Sequence, residues 1–154
     1  MQPKIIDEPT LRDKRFIFKD RLHAGELLAA KLEKYSDRDD VQLLAIPAGG
    51  VPVGYVIASE LNLPLDVIII RKIQIPWDTE AGFGALSWDG TTILNTPLVR
   101  RLGLSDEAIR RALSMAQENI LNRVRKFRGD RSFPKLEHKI ALLVDDGLAS
   151  GFTM

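Results

Sequence analysis

Lys139-Ile140-Ala141-Leu142-Leu143-Val144-Asp145-Asp146-Gly147-Leu148-Ala149-Ser150-Gly151-Phe152-Thr153-Met154 is the stretch on which the reading of this chain turns. Ile140 to Val144 is apolar at every position and stops at two carboxylates. A short, continuously apolar run predicts a strand buried on both faces, as in a parallel sheet covered by helices. In open α/β sheets, polar groups at the carboxyl end of such a strand sit where ligands bind. Neighbouring residues of a strand point to opposite sides, so Asp145 and Asp146 are predicted to do different jobs. The loop beyond them is rich in small residues. Gly147 and Gly151 allow positive φ and close backbone approach, and Ser150 and Thr153 add hydroxyl donors. Successive free N–H groups form a nest for an anion, reinforced if a helix begins just after. An anion site bordered by acids that take hydroxyls or a metal suits a phosphorylated sugar.

Upstream, Val41-Gln42-Leu43-Leu44-Ala45-Ile46 predicts a central strand and Pro47-Ala48-Gly49-Gly50 a corner. Pro52 suits a first helical turn, and Val53, Val56, Ile57 and Leu61 then repeat at helical spacing. A strand, two glycines and a helix start make a second candidate anion corner, although glycines occur in many such turns. Leu65 to Ile70 predicts the next strand, β-branched in its second half and ending in Arg71-Lys72. Two cations at the carboxyl end of a buried strand suit a polyanion. Without context, a solvated turn explains them equally well.

Phe16-Ile17-Phe18 predicts a short edge strand. Asp20 caps a predicted helix over 21–35, with His23 read as a partly exposed helix histidine. Ile73 to Gly90 contains Pro76, Gly82, Gly84 and Gly90. It predicts a long mobile loop leading into a hairpin, Ala85–Trp88 and Thr91–Leu94 around Asp89-Gly90. Such a loop over a site acts as a lid. Trp77 and Trp88 either cover apolar surface or touch ligand. Thr96-Pro97 and Gly103 precede a helix capped by Ser105, whose Ile109, Leu113, Ala116, Ile120, Val124 and Phe127 line one face. Arg110, Arg111, Arg123, Arg125 and Lys126 lie mainly off that face and read as solvated.

The chain has 154 residues, 45% hydrophobic and 28% charged, which predicts one soluble domain with a real core. Its net charge is +1, from 22 basic and 21 acidic residues, so neither nucleic acid nor a membrane surface is an expected partner. There is no cysteine, which excludes disulfides and thiolate metal sites, and two histidines are too few for a histidine-rich zinc site. No apolar stretch has the length of a membrane span and the first residues carry no apolar signal region. A cytoplasmic enzyme is the expectation.

Ala141 to Thr153 resembles the signature by which type I phosphoribosyltransferases bind 5-phosphoribosyl pyrophosphate (PRPP): a hydrophobic run, two acids, then a small-residue loop ending Gly-x-Thr. The acid pocket of response-regulator receivers also follows a strand, but there the pair lies near the start of the domain and here it lies at the end. Leu44 to Gly50 resembles the family's pyrophosphate-binding loop, Arg71-Lys72 its basic pair, and 73–90 its flexible catalytic loop. Phe18-Lys19-Asp20-Arg21, Ile46-Pro47-Ala48-Gly49-Gly50-Val51-Pro52-Val53 and Pro64-Leu65-Asp66-Val67 are similar to a group of uncharacterised predicted phosphoribosyltransferases.

The resemblance implies a three-layer α/β/α sandwich, its sheet mostly parallel with the strand near Thr91–Leu94 antiparallel. It implies a single domain over 1–154, truncated so that a helix and C-terminal strands are missing. The implied activity is transfer of a 5-phosphoribosyl group from PRPP to a nitrogenous base with Mg²⁺ and release of pyrophosphate, in nucleotide salvage or related metabolism. A regulatory protein that binds PRPP or a nucleotide without turnover is the alternative. By the same resemblance, Asp145 and Asp146 hold the ribose hydroxyls, directly or through the metal, and act in catalysis. Ala149, Ser150, Gly151, Phe152 and Thr153 hold the 5-phosphate. Ala48, Gly49, Gly50, Arg71 and Lys72 face pyrophosphate, and Glu80 is the candidate base of the flexible loop. A homodimer is left open, as is the acceptor base. Two departures bear on chemistry: Ala48 stands where that group usually has Arg, and Ala149 stands where 6-oxopurine enzymes carry an Asp.

Overall fold

Val41–Ala45 forms the innermost strand, every residue of it buried. The computed structural model describes residues 5–147. In chain order its elements are α1 (Arg21–Leu32), β1 (Val41–Ala45), α2 (Gly50–Leu61), β2 (Leu65–Val67), β3 (Ile70–Ile75), β4 (Asp78–Ser87), β5 (Thr92–Leu94), α3 (Thr96–Leu102), α4 (Asp106–Arg128) and β6 (Ile140–Val144). Short 3-10 turns lie at Pro9–Leu11 and Glu33–Tyr35.

A parallel sheet runs in the order β2-β1-β6. Its register sets Ala45 of β1 against Val67 of β2 and Val144 of β6. The chain therefore leaves β1 and β6 side by side, which places the Pro47–Gly50 corner next to the two acids. One face of the sheet packs on α1 and α2, where Ala29, Val53, Ile57 and Leu61 meet Val41, Leu43 and Val144. The opposite face of β1 presents Leu44 and Ile46 to Trp88 and Leu136. Burial on both faces thus belongs to β1. On β6 it was expected and is not found: Ala141 and Leu143 are exposed, while Ile140, Leu142 and Val144 turn to the helices. The physical reason is position, since among the described residues β6 has a neighbour on one side only.

The residues from Leu65 to Ile75 pass from this sheet into a second one. Ile68 N–H still donates to Ala45 O at 3.0 Å, whereas Ile69 O accepts from Trp88 N–H at 3.0 Å. Beyond this point β3, β4 and β5 form an antiparallel sheet in that order. The expected hairpin around Asp89-Gly90 is there, with Thr92–Leu94 antiparallel to its partner. The expected mobile loop over 73–90 is not: Ile73–Ile75 and Asp78–Ser87 are paired strands. Gly82 and Gly84 explain the difference. A Cβ on Gly82 would run into the Lys72 side chain, and one on Gly84 into Ile93 O. These glycines let strands approach rather than let a loop move.

The α4 helix closes the second layer, with Ala116 and Ile120 packed on Ile69, Ile73, Phe83 and Leu86. It starts as expected, with Ser105 Oγ accepting from Ala108 N–H at 3.2 Å. At its far end buried Arg128 pairs with Asp66 of β2, donates to Val67 O at 3.1 Å and lies 4.0 Å over the Phe133 ring. Asp20 caps α1 as expected, accepting from His23 N–H at 2.9 Å. Thr96-Pro97 opens a short helix, α3, that the sequence reading did not mark, because Pro fits the first helical turn and Asn95 Oδ1 caps it from Leu98 N–H at 3.0 Å. One local expectation fails. Phe16-Ile17-Phe18 forms no strand; Phe16 has φ of 56° and is fully exposed. Trp88 covers apolar surface, stacked on Phe133 at 4.4 Å, and Trp77 is exposed. No described helix is long and apolar enough to cross a membrane.

Candidate functional site

The site is built from the carboxyl ends of β1 and β6. Ile46 N–H donates to Val144 O at 2.8 Å, extending the pairing past Ala45 and tying the start of the corner to β6. The chain then turns through a cis peptide between Pro47 and Ala48 and enters α2, with Gly50 N–H donating to Ile46 O at 3.0 Å. The two glycines are required by close approach. A Cβ on Gly50 would clash with Val144 O, and a Cβ on Gly49 would overlap the Asp146 carboxylate. The start of α2 can therefore lie directly against the acids.

The acids have separate surroundings, as strand alternation predicts. Asp145 is half-buried, and its Oδ1 accepts from Asp146 N–H at 2.9 Å. Burial pushes its carboxyl above the ordinary aspartate range, and the charge of Asp146 acts in the same direction; the Asp146 N–H opposes them. Asp146 is gripped by Arg21, which donates to Oδ2 from Nη2 at 2.6 Å and from Nε at 2.9 Å. This is a surface pair, with side-chain exposures of 58% and 32%, so the carboxylate stays within reach of a ligand. Arg21 was quoted in the sequence without a role. A contact spanning 125 positions leaves no local signal.

A cavity of about 470 Å³ opens over both acids. Phe18, Asp20, Arg21, Ala24, Leu28 and Val53 also line it. Arg71 and Lys72 line a different cavity, of about 450 Å³, between β3 and α4. Arg71 is half-buried, and burial together with the nearby charge of Arg123 lowers its pKa. Arg123, read from the sequence as solvated, donates to Pro47 O at 3.4 Å. The signal was available: Arg123 falls three residues after Ile120 and four before Phe127, on the flank of the buried stripe. Lys72 is not brought to the corner; its ammonium donates to the Glu80 carbonyl on β4. Glu80 itself is exposed on that strand and belongs to no mobile loop. Ala48 offers only its backbone. Ala149, Ser150, Gly151, Phe152 and Thr153, the expected phosphate loop, lie outside the described residues.

Among the described residues, no group of three or more His, Cys, Asp or Glu is arranged to hold a metal ion. Two carboxylates nevertheless fit Mg²⁺, which keeps several waters and is held by one or two acids together with substrate oxygens.

The family description "Phosphoribosyl transferase domain" matches residues 19–154. Two proteins of Mycobacterium tuberculosis, from strains CDC 1551 / Oshkosh and H37Rv and each described as a "Putative phosphoribosyl transferase", are 38% identical over 137 residues, which is 89% of this chain and 31% of theirs. The chain thus spans about a third of the length of these curated relatives. The crystal structure of TT1426 from Thermus thermophilus is similar at 30% identity and a TM-score of 0.65, over 88% of this chain and 64% of that one.

Proposed function

The chain belongs to the phosphoribosyl transferase domain family, and from that we propose that it serves in transfer of the 5-phosphoribosyl group of PRPP to a nitrogenous base, with release of pyrophosphate. In this reaction the bond from the anomeric carbon to the pyrophosphate oxygen breaks, pyrophosphate leaves with the electron pair, and a ring nitrogen of the base takes its place and gives up a proton. The single observation that carries the reading is the contact of Gly49 with the Asp146 carboxylate, which puts an acid pair for sugar hydroxyls against a glycine corner for an anion.

Asp145 and Asp146 accept from the ribose hydroxyls and face the positive charge that grows on the sugar. Burial makes an ionised Asp145 costly. A cation arriving beside it relieves that cost most in the transition state, which is where stabilisation accelerates a reaction. Arg21 holds Asp146 in place through one oxygen and leaves the other for substrate. The free amides of Ala48 and Gly49, in a corner that Gly50 keeps open, take the pyrophosphate with Arg71; the two acids would hold Mg²⁺, which would supply charge neutralisation for the leaving group.

One observation favours binding without turnover as a second reading: Arg21 already satisfies Asp146 Oδ2. Pyrophosphate release measured with PRPP, Mg²⁺ and a panel of purine and pyrimidine bases separates the two. Release with at least one base supports transfer. PRPP binding without release across the panel supports the regulatory reading, and no PRPP binding defeats both.

A further inference from the structure

The arginines of this chain with side chains ordered against acids are easily named: Arg12, Arg21, Arg38, Arg111 and Arg128 each meet a carboxylate. Arg71 and Arg123 are different. Both are half-buried, they lie close enough for the charge of Arg123 to act on Arg71, and among the described residues neither pairs with an acid. Two like charges held together and partly out of water are unfavourable unless an anion joins them.

The surroundings say where that anion sits. Arg123 Nη1 lies 3.4 Å from Pro47 O, at the mouth of the Pro47–Gly50 corner. That corner carries no charged side chain of its own. Its Ala48 and Gly49 N–H groups make no hydrogen bond among the described residues, whereas those of Gly50 and Val51 are used within the turn. Arg123 thus stands beside a corner with two free amides at the start of the twelve-residue helix α2, with the charge of Arg71 nearby. Guanidinium forks and amides together match an anion with several oxygens rather than a single carboxylate.

We propose that Arg123, from α4, is a pyrophosphate-binding residue that works with Arg71 at this corner. The inference rests on the phosphoribosyl transfer reading and adds a residue to it. The leaving group bridges the two guanidiniums, so α4 is part of the substrate site and not only a cover for the second sheet. The contact with Pro47 O is the resting position of a side chain that turns to the anion when it arrives.

Titration calorimetry with magnesium pyrophosphate and, separately, with ribose 5-phosphate tests this on the wild type, Arg123→Gln, Arg123→Lys and Arg71→Gln. Each Gln variant is expected to weaken pyrophosphate binding about tenfold or more. Arg123→Lys keeps part of the affinity, and ribose 5-phosphate affinity stays within about twofold of wild type in all of them. A brace that merely supports the corner behaves otherwise: Arg123→Gln then lowers the melting temperature of the ligand-free protein and weakens both ligands together, which overturns the proposal. Unchanged pyrophosphate binding by Arg123→Gln overturns it too, while leaving the transfer reading in place. A wild type that binds neither ligand sinks both.

Discussion

A methyl group at either glycine of the corner tests the site at its finest grain. Ala is ordinarily better than Gly in a helix by about 1 kcal/mol. At Gly50 the sign reverses, because the added Cβ meets Val144 O, a backbone atom that cannot step aside. Gly50→Ala is expected to lower unfolding stability by roughly 1–3 kcal/mol in a denaturant titration. At Gly49 the Cβ meets the far end of the Asp146 side chain, which can move. Gly49→Ala is therefore expected to cost little stability and yet to weaken PRPP binding about tenfold or more, since the displaced carboxylate loses its aim. Asp145 offers the opposite trade. An acid whose folded pKa lies above its unfolded value binds its proton more tightly when folded. Its contribution to stability is full below the ordinary aspartate range and is lost as pH rises through the raised folded value. At neutral pH the ionised carboxylate is a burden, so Asp145→Asn is expected to melt higher than wild type at about pH 7, with the gap closing near about pH 4. The same variant loses PRPP binding. A gap that widens on acidification contradicts this account of Asp145. That both acids and both glycines stand at turns after strands was legible in the sequence, and the structure brings them together. The role of Arg21 was not legible, because its partner lies far away along the chain; Arg123 was read as solvated, although its place on the flank of the buried stripe was visible.

Elements declared themselves in proportion to how regular their burial is. β1 follows from an apolar run interrupted only by Gln42, α2 and α4 follow from helical spacing, and Asp20 and Ser105 mark helix starts where the caps are found. The second sheet was the blind spot. Glycine and proline between Ile73 and Gly90 look like a loop, yet Gly82 and Gly84 are there because side chains and backbone of the adjoining strands fill the space a Cβ needs. Backbone amides of Phe83–Leu86 are accordingly expected to exchange slowly with deuterium, on the scale of the core strands. Exchange as fast as at the chain ends would restore the mobile-loop reading. The join between β2 and α4 can be tested as well. Arg128 is buried, its side chain 1% exposed, and Asp66 is its charge partner. Asp66→Ala leaves that guanidinium uncompensated and is expected to cost roughly 3 kcal/mol. Arg128→Met is expected to cost less, since the Asp66 carboxylate left behind is 21% exposed and still accepts from Val67 N–H at 2.7 Å, and equal losses for the two would argue that the ion pair carries no special weight.

At the scale of the whole molecule, the α/β class and the presence of a parallel sheet were readable from apolar runs that end in polar groups, whereas the order β2-β1-β6 comes from the structure. The extent of the antiparallel part was not readable, since β3 and β4 lack the plain apolar alternation that marks a half-buried strand. The architecture explains why the chemistry collects where it does. Parallel strands deliver their carboxyl ends to one edge, so residues almost a hundred positions apart, at Gly49 and Asp146, come into contact. Arg123 reaches the same corner from the helix that covers the second sheet, and its charge is felt by Arg71 of β3. The most direct test of the central claim is a calorimetric titration of PRPP, with Mg²⁺ present, into the wild type, Asp145→Asn and Asp146→Asn. The account predicts saturable one-site binding by the wild type and losses of about tenfold or more for each variant, with all three proteins folded. Wild-type protein that takes up no PRPP, or variants that bind it as tightly as wild type, would contradict it.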